Sequence, residues 1–255
     1  MVSHAANRDA QLASSGFVVL NMSIKRIFVQ DKACIFSVLF AVAFVLFLQT
    51  GAGAHDLPTN VNIGENEIGT PPAGFDLLPS GNGKQGQWKV VHDPTASASI
   101  AIEQAGVEAA NDRFPLAIYK TASPKDVEVS LRLKATGGKE DRGGGVALRL
   151  ISPYNYYLVQ LDALRDRVLF SRVINGVFEE VAGVDADIAP RTWHTLEVRA
   201  RDNEFLVSLD GTWMFTVFDK ALPNAGRFAL WTKGDSVTRF DSITIMPLIV
   251  LEQRY

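Results

Sequence analysis

Cysteine is nearly absent: Cys34 is the only one among 255 residues, and it lies inside an apolar run near the N-terminus. Disulfides therefore cannot staple the rest of the chain, which must hold together by burying its core, as a body of about 200 residues can. Histidine is scarce too, with four in all, leaving little for a histidine-built metal centre or histidine-dependent catalysis. No G-x-S-x-G elbow occurs, so the usual serine-hydrolase constellation is missing. Helical spacing of apolar residues is absent after the N-terminal run, and so is any repeat of solenoid or propeller length. Basic residues form no stripe. The net charge is −3, and residues 1–54 hold four basic side chains (Arg8, Lys25, Arg26, Lys32) against two acidic ones (Asp9, Asp31). Residues 55–255 carry 21 basic and 26 acidic side chains, a net −5. A mildly acidic body excludes a nucleic-acid footprint.

What is present begins with an export signal. Lys25, Arg26 and Lys32 precede the apolar run Ala33–Leu48, and Ala52-Gly53-Ala54 comes after it as a small-residue cleavage site. These are the three parts of a secretory signal peptide. Met22 opens the pattern, and residues 1–21 read as an upstream start or an extended basic region. Sixteen apolar residues fall short of the roughly 20 needed to span a bilayer. Cleavage near Ala54 and a secreted or periplasmic product are expected, with membrane attachment only through an uncleaved signal segment. Asp31 and Lys32, just before Cys34, do not suit a lipoprotein site.

Residues 55–74, rich in Pro, Gly, Asn and Thr, read as a linker or N-terminal arm. From 75 to 247 the sequence is a train of short β-rich segments cut by glycine-bearing turns, with 248–255 as a tail. Val127, Val129, Leu131 and Leu133 alternate with Glu128, Ser130 and Arg132, the period of a half-buried strand. Asn175-Gly176 and Asp210-Gly211 mark hairpins. About a dozen strands are expected, in an all-β antiparallel sandwich of jelly-roll type.

Several motifs occur in series: Asp141-Arg142-Gly143-Gly144-Gly145, Asn155-Tyr156-Tyr157, Leu161-Asp162-Ala163-Leu164 and Arg172-Val173 with Asn175-Gly176. Trp193-His194-Thr195-Leu196, Leu209-Asp210-Gly211, Leu230–Ser236 and Phe240-Asp241 complete the series. In this order the chain resembles the secreted bacterial concanavalin A-like (LamG-like) jelly-roll domains grouped with 3-keto-disaccharide hydrolases, also called family 16 glycoside hydrolase-like. The resemblance implies two packed antiparallel sheets and a carbohydrate partner. It is specific for fold and not for activity, because such sandwiches host lectins, hydrolases and lyases alike.

The acidic residues do not support retaining glycosidase chemistry, which needs two carboxylates about 5 Å apart. No E-x-D-x-x-E run exists, Asp185 and Asp187 fall in a loop beside Pro190, and Glu179 and Glu180 point to opposite faces. His194 is a weak catalytic candidate; without a visible orienting partner, packing beside Trp193 is expected instead. His92 reads as a turn residue. A mature terminus at His55 would offer an amine and an imidazole to copper, with no second histidine placed to join them.

The strongest candidate is a binding surface, since sugars are held by aromatic faces and by polar side chains able to form paired hydrogen bonds. Tyr154, Tyr156 and Tyr157 cluster around Asn155, and strict alternation puts Tyr156, Gln160 and Asp162 on one face. Arg149 on the preceding strand and Arg172 on the following one are expected beside them, with Trp231, Lys233 and Asp235 ending another strand. A carbohydrate or glycan held on a concave polar sheet face is the leading expectation. The alternatives are a hydrolase or lyase acting on glycosides or 3-keto-disaccharides, and a structural envelope module. Some LamG-like sandwiches hold a structural calcium ion, for which Asp93, Asp235 and Asp241 are available without convincing spacing.

Overall fold

The computed structural model describes residues 57–106 and 112–248, and every described element is a strand or a turn. The expected export signal, Cys34 and His55 lie outside the described residues, as do 249–255 of the expected tail. The strands are β1 (Thr59–Asn60), β2 (Phe75–Gly81), β3 (Trp88–His92), β4 (Ile100–Ala105) and β5 (Arg113–Ser123). Next come β6 (Val127–Gly137), β7 (Gly143–Ser152), β8 (Asn155–Asp162), β9 (Arg167–Ile174) and β10 (Val177–Asp185). The last are β11 (His194–Arg201), β12 (Glu204–Leu209), β13 (Thr212–Phe218), β14 (Gly226–Trp231) and β15 (Val237–Pro247).

They form two antiparallel sheets, the jelly-roll sandwich expected. The eight-stranded sheet runs β13-β12-β11-β6-β15-β4-β3, with β1 pairing to β15; the seven-stranded sheet runs β10-β9-β8-β7-β14-β5-β2. Both marked hairpins form. Asn175 and Gly176 take φ of 50° and 80°, and Asp210 and Gly211 take 51° and 75°, which suits a two-residue turn between twisted strands. The stretch read as a linker or arm contributes β1 and buries Val61 and Ile63 in the core.

Alternation decides which side chains fill the space between the sheets. Val127, Val129, Leu131 and Leu133 of β6 face Tyr157, Val159 and Leu161 of β8 across it. At its centre the rings of Tyr157, Phe170 and Phe205 lie 4.6–5.5 Å apart, spacing that adds to the gain from area burial.

The seven-stranded sheet is strongly coiled. In a flat sheet β10 and β5, five strand steps apart, would lie about 24 Å apart. Instead the Phe178 ring of β10 stacks on Phe114 of β5 at 5.7 Å, and Phe114 stacks on Trp231 of β14 at 5.7 Å. Tyr156 of β8 reaches across to Ser80 of β2, hydroxyl to hydroxyl, at 3.0 Å. Bulges between Leu148 and Ser152 in β7, Arg227 and Ala229 in β14, and Glu180 and Ala182 in β10 supply the bends. Gly143 and Gly145 let β7 press against β8, because a Cβ at either would stand 2.0 Å from the carbonyl oxygen of Leu161 or Val159.

Candidate functional site

The face of the seven-stranded sheet turned away from the core is the one on which a concave polar surface was expected. It carries Tyr156 and Gln160, as alternation requires, but between them stand Leu158 and, on neighbouring strands, Leu116, Ile118, Ala147, Val173 and Ala229. These apolar residues are buried in the coil of the sheet, closed off by the Phe178–Phe114–Trp231 stack. The face is therefore a second small core rather than an open polar surface. Burial pushes the Tyr156 hydroxyl up from its ordinary pKa, against the hydrogen bond to Ser80 and the nearby Trp231.

Polar groups gather where β8 ends and β7 begins. Gln160 and Asp162 from β8, Trp231 from β14 and Lys233 just beyond it line one shallow depression whose cavity volume is only about 10 Å³, room for a single water, with Trp231 and Gln160 buried in its floor and Asp162 and Lys233 half-exposed at its rim. Asp141, Arg142 and Ser236 complete it. Asp141 is nearly buried, with Lys233 Nζ at 3.1 Å and Arg165 Nη1 at 3.5 Å; Arg165 also reaches Asp162 at 2.8 Å. The Ser236 hydroxyl is buried without a partner among the described residues, and the Trp231 indole N–H makes no well-formed hydrogen bond although the Tyr156 hydroxyl is close. Asp235 stands behind the depression. Its carboxylate accepts the backbone N–H groups of Lys139, Glu140 and Asp141. Burial opposes ionisation there, yet those three bonds outweigh it and hold the carboxyl below the usual range.

Four of the expected binding residues thus meet: Gln160, Asp162, Trp231 and Lys233, with Asp235 buttressing the turn. Asp141, Arg142 and Ser236 were not singled out for binding, although the charged-glycine motif Asp141–Gly145 was the available signal.

The other candidates lie elsewhere. Arg172 pairs across the ladder with Tyr157, not Tyr156, and so sits on the opposite side of the sheet. It binds Glu179 by Nε and Nη2 and Asp219 by Nη1. Tyr157 donates to Asp219 at 2.6 Å and accepts the Leu222 N–H; burial first, and the bond to Asp219 next, push its pKa up to about 12. Arg149 was expected beside Tyr156. The β7 bulge, where Arg149 takes φ of 49°, turns it inward instead. Its guanidinium lies over the Phe205 ring and donates to the carbonyls of Lys125, Leu222 and Asp202. Tyr154 stands exposed at the Asn175-Gly176 hairpin, at the far end of β8 from Asp162. The cluster read along the sequence is therefore split between the two ends and two faces of one sheet.

His194 does have a carboxylate neighbour, Asp210, 2.7 Å from Nδ1, but its Nε2 is held 3.1 Å from the Ala189 carbonyl. With both nitrogens engaged and the ring buried, none is free to take a proton from a substrate. Glu179 and Glu180 are bound to Arg172 and Arg167, and Asp185 is exposed.

For calcium, no group of three or more His, Cys, Asp or Glu that could hold a metal ion exists among the described residues. Asp93 is bound by Lys134 and Arg239, and Asp241 by the Ser97 N–H and Arg132. With Asp235 capping its turn, these three offer no shared site, and none is assigned.

The fold and its coiled sheet define a concanavalin A-like jelly-roll sandwich. Solved structures share it at low sequence identity. A carbohydrate-binding module, CBM66, from Bacillus subtilis is 18% identical with a TM-score of 0.56, covering 68% of this chain and 95% of its own. A Bacillus licheniformis β-glucanase is 10% identical, TM-score 0.51, covering 79% and 100%. The exoplasmic/lumenal domain of VIP36, in a form bound to Ca²⁺ and Man3GlcNAc, is 17% identical, TM-score 0.50, covering 71% and 86%. No family model matches the chain, and no curated protein does.

Proposed function

We propose that this domain is a glycan-binding module which holds a saccharide over the shallow depression formed by Gln160, Asp162, Trp231 and Lys233, against Asp162 and Lys233 at its rim. The observation that carries the reading is the meeting, at one open end of an otherwise apolar coil, of side chains from β8, β14 and the turns before β7 and β15. Asp162 and Lys233 are held in place by Arg165 and Asp141, and both remain half-exposed at the rim, where a carboxylate accepts and an ammonium donates. Sugar hydroxyls, each donor and acceptor, match such a mixed set. The neighbours named as a carbohydrate-binding module and as a lumenal domain bound to Man3GlcNAc support the same direction for this architecture.

Binding is preferred over bond cleavage because both carboxylates at the depression are ion-paired to the same guanidinium, an arrangement that suits hydrogen-bond acceptance rather than a general acid or a nucleophile. Affinity electrophoresis and calorimetry against a saccharide panel test the proposal. Asp162→Asn and Lys233→Ala are expected to weaken any saccharide bound by the parent by at least about tenfold, while leaving the unfolding temperature within a few degrees. Incubation with 3-keto-glucosides followed by detection of released sugar is expected to show no turnover; release that is lost in Asp162→Asn would make the module an enzyme. The same reading has the module exported and cut near Ala54, which N-terminal sequencing of the mature protein checks.

A further inference from the structure

We infer that the glycan held at this depression is an acidic one, a saccharide bearing a carboxylate or sulfate, and that Arg191 with Arg142 receives its charge. The inference rests on the binding reading above and adds the ligand class to it. A second depression adjoins the first, since Arg142 lines both. It offers a volume of about 320 Å³ between Thr136 and Gly137 at the end of β6, Arg142 before β7, and Pro190 and Arg191 before β11. Two arginines and no acidic residue line it.

Most arginines elsewhere are neutralised, although Arg199 and Arg201, exposed on β11, also have no ion pair among the described residues. Arg132, Arg149, Arg165, Arg167, Arg172, Arg227 and Arg239 each have a carboxylate within 4 Å. Arg142 and Arg191 form no ion pair among the described residues. Arg142 is held in place nonetheless: its Nε and Nη2 donate to the Gly138 carbonyl at 3.2 and 2.9 Å, leaving Nη1 free. Arg191 is anchored through its backbone, whose N–H donates to the Ala135 carbonyl at 2.9 Å, while its side chain stays exposed. One fixed and one exposed guanidinium, neither neutralised, around one space suit a planar carboxylate or a sulfate, which each can grip through paired N–H groups. In a body carrying net −5, the general field repels anions, so attraction must come from such a local pair. A sugar lying over the half-exposed Asp162 and Lys233 at the rim of the first depression would direct its charged substituent across Arg142 into this space.

Calorimetry with matched oligosaccharides tests the inference, using oligogalacturonate, a sulfated galactan oligomer and a neutral galactan oligomer, in the parent and in Arg191→Gln. At low salt the parent is expected to bind one or both anionic oligomers about tenfold more tightly than the neutral one. Raising the salt to about 0.5 M should shrink that gap, and Arg191→Gln should remove it while neutral binding persists. Which anionic oligomer wins tells carboxylate from sulfate. Equal affinity for neutral and anionic oligomers would overturn the inference and leave the module reading standing, as would a preference that survives in Arg191→Gln. Binding of no oligomer at all would remove both.

Discussion

Arg149 shows how the same residue changes meaning with its backbone. Placed by alternation, it belongs beside Tyr156 as a sugar contact; placed by the bulge, it is 2% exposed and knits Lys125, Asp202 and Leu222 together through their carbonyls. Burial works to lower its pKa, and Tyr157, Asp126 and Asp202 work to raise it, with burial prevailing. Its job is therefore structural. Arg149→Met keeps most of the stem's packing on Phe205 but strips donors from those carbonyls, an expected loss of about 3 kcal/mol in urea unfolding. Saccharide affinity should stay unchanged in the fraction that folds. A large loss of affinity with intact stability would return Arg149 to the binding surface. Arg172 and Tyr157 belong to the same end of the sandwich: together with Asp219 they pin the segment leading to Leu222.

At the scale of strands, what the sequence reveals is what local rules govern. Alternation along β6, and the Asn-Gly and Asp-Gly turns of the β9–β10 and β12–β13 hairpins, are written in neighbouring residues, and those elements form as expected. The grouping of Gln160, Asp162, Trp231 and Lys233 was legible in part, because all four lie at or within two residues of the end of β8 or β14. The coil of the seven-stranded sheet was not. It depends on bulges, which break the period of two without a distinctive residue, and on Phe114 meeting Phe178, which are 64 positions apart in the chain. A face read as polar from Tyr156 and Asp162 therefore turns out to be closed by rings from both of its borders. Phe114 is the keystone of that closure, stacked on both Phe178 and Trp231. Phe114→Ala should cost about 3 kcal/mol and release the Trp231 ring, seen as a red shift of tryptophan emission together with weaker saccharide binding. Unchanged emission and stability would mean that the coil is held by its bulges alone.

Across the whole molecule, stability depends on carboxylates that folding keeps ionised. On the outer side of the eight-stranded sheet, Asp93 is nearly buried among Lys134, Arg239 and Thr95, with Glu103 and the Trp193 ring completing the group. Burial opposes its charge, yet the bonds from Lys134, Thr95 and Arg239 outweigh it and hold the carboxyl far below the ordinary value of 3.8. Asp219 and Asp235, at other places in the fold, are likewise depressed: burial is overcome by Tyr157, Ala221 and Arg172 for the first, and by three backbone N–H groups for the second. A carboxyl whose folded pKa lies below its unfolded one binds protons more readily in the unfolded chain. Its stabilising contribution is whole above 3.8 and drains away as the pH falls toward the folded value. Thermal unfolding should therefore have a midpoint that is nearly flat at neutral pH and drops steeply below about pH 4. Asp93→Asn should lower the neutral midpoint, because Lys134 is left buried without its counter-charge at a cost of about 3 kcal/mol, and it should make the acid decline shallower. A variant that keeps the parent's midpoint at pH 7 and the parent's acid slope would show that the Asp93 group adds nothing to the fold, and that the acid sensitivity arises at Asp219 and Asp235.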